Sequence, residues 1–303
     1  MLSGLISKNI TKKEYNLIYT DYLCKKKLTP YNKIRLKLSD MVEGDMLPAK
    51  WELIGEVLIL RFNHRFSDSI LEKICNVYAE ILKAKTVFIE EGTINGEFRT
   101  PQLRLITGKE TLTTHRENKI IYKLDVQKIM FSSGNKEERK RMATIAHKNE
   151  TVIDMFAGIG YFSIPMAKYS RPKSIHAIEK SEYTFQFLEE NIRVNKVGDI
   201  VVPHCMDNRD FTLDEKVDRI VMGCFDNDIS FFRKALSLSK ANTIIHYHAL
   251  VNRFLGDNIL FERLEEESTA NGYSLKCVYK KKVKSVSRRY EHWVYDLKVA
   301  IRG

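Results

Sequence analysis

The chain has 303 residues, 44% hydrophobic and 10% aromatic, enough for a packed core and for two or three domains. Its net charge of +11 favours a polyanionic partner, nucleic acid ahead of a membrane surface. Five scattered cysteines without a Cys-x-x-Cys pair argue against a disulfide framework or a zinc finger, and no apolar run is long enough to cross a bilayer.

Residues 1–30 are Lys-rich, with Lys25, Lys26 and Lys27 in a row, and read as a basic helical segment. The apolar patch in "MLSGLISKNI" is too short for a signal peptide, so a cytoplasmic protein with reduced thiols is expected. Residues 31–122 read as a mixed α+β region. "GEVLILRF" (55–62) is a strand, and "SDSILEKICNVYAEILK" (67–83) a helix capped by Ser67 with apolar residues at helical spacing. A hairpin is expected around Asn95-Gly96, followed by β-rich alternation through "KIIYKLD".

From Thr151 the rhythm changes to strict strand–helix alternation, and 123–303 reads as one Rossmann-like domain. "TVIDMF", "SIHAIEK", "DIVVPHC", "DRIVMGC" and "NTIIHYH" are strands; "YFSIPMAKY", "SEYTFQFLEENIRVNK" and "DISFFRKALSLSK" are helices. A long helix is expected over "VNRFLGDNILFERLEEESTANGY" (251–273), then two closing strands. The pattern predicts an α/β fold: a doubly wound, mostly parallel sheet with an antiparallel last strand, binding its ligand at the strand carboxyl ends.

The turn "DMFAGIGYF" (154–162) has Gly158 and Gly160 but Ser163 where a dinucleotide fingerprint needs its third glycine, and no P-loop Gly-Lys-Ser/Thr follows. Glu179 ends the second strand, where a carboxylate accepts from both ribose hydroxyls. Asp207 and Asn208 follow the third strand, where an acid and an amide suit an exocyclic amine. A ribose site and an adenine site without a phosphate cradle point to S-adenosyl-L-methionine. Asp154 is expected to brace the glycine turn. His246 and His248 share one strand face, but no further ligand completes a metal set.

"DMFAGIGYFSIPMA", "AIEKSEYTFQFLEENIRVNKV" and "MDNRDF", with "KLDVQKIMFSSGNKEERKRMA" upstream, resemble the tRNA guanine-N1-methyltransferases and the related wyosine-pathway tRNA aminocarboxypropyltransferases. The methyltransferases carry Asn-Pro or Asn-Leu-Pro after the fourth strand. Here Met222-Gly223 stands there, and with "SSGN" and "IIHYHALV" it is similar to the aminocarboxypropyltransferases, although Cys224 replaces their usual aromatic. The resemblance implies a class I S-adenosylmethionine-dependent transferase fold. It also implies transfer of the 3-amino-3-carboxypropyl group to C7 of 4-demethylwyosine, at position 37 beside the anticodon of phenylalanine tRNA, releasing methylthioadenosine. The alternatives are N1-methylation at the same position, or a non-catalytic tRNA-binding relative.

By the same resemblance, Ser132, Arg139, Glu179, Asp207 and Asn208 contact the donor, alongside Asp154, Phe156 and Gly158 of the first turn. Arg139 is the expected cation for the methionine carboxylate, since a guanidinium fork suits it. It would position the donor, and no residue is assigned a chemical step. "YKKKVKSVSRRY" (279–290) carries six basic and no acidic residues between two tyrosines. Lys280, Lys281, Lys282, Arg288 and Arg289 are therefore the expected RNA contacts. Region 31–122, with Arg99, Arg104 and "THREN" (114–118), is expected to bind tRNA or the substrate base. Neither a metal nor an obligate protein partner is expected.

Overall fold

The computed structural model describes residues 28–92, 100–225 and 228–302, which separate into two compact units. The segment 1–27, Asn95-Gly96 and Arg99 lie outside the described residues.

The first unit comprises residues up to Thr93 together with Gln102–Thr111. Helix α1 (Pro30–Leu38) starts at a proline whose missing N–H costs nothing in a first turn, and the Thr29 hydroxyl accepts from the Asn32 N–H. Strands β1 (Trp51–Ile54) and β2 (Val57–Leu60) form a hairpin. Helix α2 (Asp68–Leu82) buries Leu71, Ile74, Cys75 and Tyr78, and ends at Lys83 in the left-handed conformation. Strand β3 (Thr86–Glu90) pairs parallel with β2, and β4 (Leu103–Thr107) closes a sheet of order β1-β2-β3-β4. Arg104 is used here, paired with Asp68 at 3.0 Å.

The second unit holds the rest of the chain. It opens with the hairpin β5 (Leu112–Glu117) and β6 (Ile120–Asp125), then a turn at Ser133–Asn135 and the short helix α3 (Lys136–Met142). The main sheet then winds through β7 (Thr151–Asp154), α4 (Ser163–Tyr169), β8 (Ser174–Glu179), α5 (Glu182–Asn195), β9 (Val201–Cys205) and β10 (Val217–Met222). It continues through α6 (Ile229–Leu238), β11 (Ser239–Asn252), α7 (Asn258–Ala270), β12 (Tyr273–Ser285) and β13 (Tyr290–Ile301). The strand order is β12-β13-β11-β10-β7-β8-β9. Strands β7 to β11 run parallel, and β13 inserts antiparallel between β11 and β12. Winding reverses between β7 and β10, and the carboxyl ends at such a reversal form a crevice. Helices cover both faces, so β7 is buried along its whole length.

The expected long helix over 251–273 is shorter, starting at Asn258. Val251 and Asn252 stay in β11, paired with Glu291 and Tyr290 of β13. Gly256 then takes a positive φ of 71°, which ends the extended run. The ladder hydrogen bonds to β13 outweigh the helical spacing of these residues.

A chain of buried polar pairs crosses the sheet. Glu150 pairs with Arg219 at 2.8 Å, and Arg219 donates to Nε2 of His246 at 2.7 Å. Nδ1 of His246 donates to Asp296 at 2.6 Å, and Arg141 joins Asp296 to Glu138 at 2.7 and 2.6 Å. Burial lowers the pKa of His246, in keeping with a neutral ring that accepts on one nitrogen and donates from the other. His248 meets His292 at 2.9 Å.

Candidate active site

The crevice is a cavity of about 240 Å³ in the second unit, at the carboxyl ends of β7, β8, β9 and β10. Each of these strands contributes the residues just beyond its end. Ser132, Arg139, Phe156, Gly158, Glu179, Asp207 and Asn208 line it. Asp154 is in the set named from the sequence but does not line the cavity.

Asp154 is buried beneath the glycine turn. Its carboxylate accepts from the Ser163 hydroxyl at 2.6 Å and the Phe156 N–H at 3.4 Å, and burial pushes its pKa up to about 6. It braces the turn by tying its first residues to the start of α4. Gly158 and Gly160 have φ of 57° and 93°. A Cβ on Gly158 would fall 2.6 Å from the Tyr161 ring, and one on Gly160 2.4 Å from Ile164. Both conformation and space require glycine here. The turn delivers the Gly158 N–H to one oxygen of Glu179 at 2.9 Å, and the Ser181 N–H reaches the other at 2.8 Å. Two main-chain donors thus fix the carboxylate plane. Burial raises the Glu179 pKa, and the donated hydrogen bonds oppose that rise.

Asp207 is gripped by the Arg209 fork at 2.9 and 2.7 Å and by Lys180 at 3.3 Å, which holds its carboxyl far below the usual range. Asn208 donates from its amide to the Met155 carbonyl at 2.8 Å. Its Oδ1 is buried with no protein partner, an acceptor whose desolvation a bound donor would offset. Phe156 and Phe231 line the same end as an edge-to-face pair 5.1 Å apart. This end offers an anchored carboxylate, an unsatisfied amide oxygen and an aromatic wall, which fit an adenosine.

The other end is built from side chains. Arg139 is 3% exposed and its fork is closed on Glu117, with Nε and Nη2 donating at 2.7 and 2.8 Å. Its Nη1 donates to the Ser132 carbonyl at 2.9 Å, and the guanidinium lies 4.6 Å from the centre of the Phe131 ring. The fork that sequence reasoning offered to a ligand carboxylate is taken by Glu117. The Ser132 hydroxyl accepts from Lys284 at 2.5 Å, and Lys284 also lines the cavity. Met222-Gly223 brings Gly223, Cys224 and Phe225 to the wall. Position 224 is Cys rather than an aromatic, and the next residue, Phe225, lines the cavity and packs edge-on against His292. Sequence reasoning missed Glu117, Phe225, Phe231 and Lys284. Glu117 stood in "THREN" and Lys284 in the basic run, but nothing in those patterns points them inward.

The basic run itself divides. Lys280 pairs with Asp257 at 2.6 Å and Lys282 with Glu291 at 2.5 Å. Lys281, Arg288 and Arg289 are exposed and take part in none of the ion pairs found among the described residues. Arg288 and Arg289 lie in the turn between β12 and β13, at the same end of the sheet as the cavity.

Strand order and cavity together define the class: a doubly wound transferase of the S-adenosylmethionine-dependent kind. The TRM5/TYW2 methyltransferase domain matches residues 113–276 and the TYW2 N-terminal domain residues 35–111. The tRNA(Phe) (4-demethylwyosine(37)-C(7)) aminocarboxypropyltransferase of Pyrococcus horikoshii is 45% identical over 84% of this chain and 90% of its own length. The crystal structure of P. horikoshii TYW2 in complex with MeSAdo superposes with a TM-score of 0.80 at 40% identity, covering 89% of this chain and 99% of that one. A complex of aTrm5 with tRNALeu gives 0.77 at 27% identity, over 90% and 78%. The chain belongs to the family of tRNA(Phe) 4-demethylwyosine aminocarboxypropyltransferases, within the wider TRM5/TYW2 group.

Proposed function

We propose that this protein transfers the 3-amino-3-carboxypropyl group of S-adenosylmethionine to C7 of 4-demethylwyosine at position 37 of phenylalanine tRNA. The donor supplies a sulfonium whose side-chain Cγ is electrophilic. C7 forms a bond to Cγ, the S–Cγ electron pair passes to sulfur to leave methylthioadenosine, and the C7 proton is lost. The protein contributes placement, which can supply roughly 7–11 kcal/mol of the barrier. The carrying observation is the one cavity that joins the main-chain-anchored Glu179 and unsatisfied Asn208 Oδ1 to the Ser132–Arg139 segment.

In this reading Glu179 accepts from the ribose hydroxyls and Asn208 Oδ1 from the adenine amine. Asp207 organises that wall through Arg209, and Phe156 and Phe231 flank the ring. Gly158 gives the donor close approach to the backbone, and Asp154 holds the turn from beneath. Arg139 keeps the 132–139 segment in place, leaving its two remaining N–H groups as donors. Phosphates of the anticodon arm are met by Lys281, Arg288 and Arg289, and more weakly by the acid-paired Lys280 and Lys282. A reducing cytoplasm suits the free thiols of Cys75, Cys205, Cys224 and Cys277.

The test is incubation with S-adenosylmethionine and tRNA bearing 4-demethylwyosine, followed by mass spectrometry of the modified nucleoside and of the adenosine by-product. The aminocarboxypropyl adduct with methylthioadenosine is expected. A methylated base with S-adenosylhomocysteine makes the protein a methyltransferase. No reaction with intact tRNA binding makes it a binding protein.

A further inference from the structure

We propose that the turn 253–256, which follows β11, binds unpaired RNA beside the nucleotide held in the crevice, with a base stacked on Phe254 and phosphates on Arg253, Arg288 and Arg289; the assignment rests on the tRNA reading above. Strand β11 runs parallel to β10, so its carboxyl end lies on the crevice side of the sheet. Tyr247 pairs with Met222, the last residue of β10, and β11 continues from there to Asn252, a rise of roughly 17 Å at the usual spacing per residue. Strand β13 accompanies it, pairing Tyr290 with Asn252. The turn 253–256 and the turn between β12 and β13 therefore crest the same wall, and the Arg253 N–H donates to the Arg289 carbonyl at 2.8 Å.

The turn is fastened at its base. The Phe254 N–H donates to Asn252 Oδ1 at 2.9 Å, and the Gly256 N–H to the Asn252 carbonyl at 3.0 Å. Phe254 and Leu255 are left 76% and 67% exposed, the two most exposed large apolar side chains among the described residues. Val286 and Tyr290 add exposed apolar surface from the facing turn. Neither 253–256 nor 285–290 contains an acidic residue. The flanking acids are matched, Asp257 by Lys280 at 2.6 Å and Glu291 by Lys282 at 2.5 Å. Apolar rings set among guanidinium groups suit unpaired RNA, whose bases stack on aromatic faces while its phosphates take the charge. Paired RNA keeps its bases stacked on one another and offers Phe254 no face. A second copy of this chain fits poorly, because a self-complementary contact would set the three arginines against their own copies.

The experiment is fluorescence-anisotropy titration of the full chain, Phe254→Ala, Phe254→Trp and Arg253→Gln with two RNAs over a salt series. One RNA is the anticodon stem of phenylalanine tRNA with its loop; the other is the same stem as a blunt duplex. Phe254→Ala should weaken the stem–loop about tenfold at every salt concentration and the duplex by less than about twofold, because stacking, unlike phosphate binding, releases no counterions. Phe254→Trp should bind as the parent does, and Arg253→Gln should flatten the log–log salt slope by about 0.7. Unchanged stem–loop affinity in Phe254→Ala, or an equal loss on both RNAs, overturns the stacking assignment, and an unaltered slope in Arg253→Gln removes its phosphate contact. A parent that self-associates in sedimentation while Phe254→Ala does not would make the surface a contact between copies instead. If the parent binds neither RNA, the tRNA reading itself falls and the assignment with it.

Discussion

The two ends of the cavity are made by different means. The adenosine end comes mostly from one continuous stretch of chain, residues 154–208, with Phe231 added from α6, and its central carboxylate is aimed by main-chain N–H groups of Gly158 and Ser181. The tail end is assembled from Glu117 on β5, Ser132 and Arg139 around α3, and Lys284 on β12, all joined side chain to side chain or side chain to carbonyl. Main-chain geometry survives most substitutions, whereas a side-chain assembly changes with any member. The adenosine end is thus the part of the site that can stay constant while the reaction changes. On the proposed function, the group presented to the acceptor is decided at the other end.

The largest test of that contrast is Arg139→Ala. It strands the Glu117 carboxylate, 7% exposed, without its cation. Breaking a buried pair in this way should cost about 3–5 kcal/mol of stability, read by chemical denaturation. A variant as stable as the parent would show that the pair does not hold the tail end together. Arg139→Lys should recover little, because a point charge cannot replace the fork.

Asp154 tests the floor of the other end. Its folded pKa of about 6 lies above the ordinary value of an unfolded aspartate. The associated stability is therefore fully present below about pH 4 and lost as pH rises through 6, on the order of 3 kcal/mol in all. Asp154→Asn removes the titration, so its melting temperature relative to the parent should rise between pH 4.5 and 7.5. A difference that stays flat across that interval would show the carboxyl to be unperturbed.

Glu179→Ala should weaken S-adenosylmethionine and methylthioadenosine alike, by roughly 1.5–3 kcal/mol, because the ribose is common to both. Unequal losses would blur the division between the ends. The smallest effect belongs to the hairpin. Alanines at Lys281, Arg288 and Arg289 should each flatten the salt dependence of tRNA binding by about 0.7–0.9 in log–log slope. Alanines at the acid-paired Lys280 and Lys282 should change it less, and an equal effect from all five would mean that the ion pairs open on RNA.

Much of the fold was legible because its signals are local. Alternating apolar strands and capped helices from Thr151 onward need no distant partner to be read, and Ser181 caps α5 as its position suggests. The start of α7 was not legible, because β11 runs on to Asn252 only by pairing with β13, some forty residues later. The site divides the same way. Glu179 and Asn208 follow from strand ends, and their spacing names them. Arg139 could be placed by motif, but its partner Glu117 lies 22 residues upstream on another element, and an Arg–Glu pair closed across a fold leaves no periodicity behind. Lys284 was hidden inside a basic run, its inward turn set by a one-residue register slip that composition does not record.

The polar chain from Glu150 through Arg219, His246, Asp296 and Arg141 to Glu138 has an evolutionary corollary. Each member contacts the next, so replacing one alone deprives its neighbours of a partner in a largely buried network. The six positions come from five separate places in the chain, from before β7 to β13, yet they can drift only as a group. Homologues should carry either the whole set or an apolar replacement of several members together. Mixed versions should be rare, and an ancestor that crossed between the two would have passed through a sequence less stable than either.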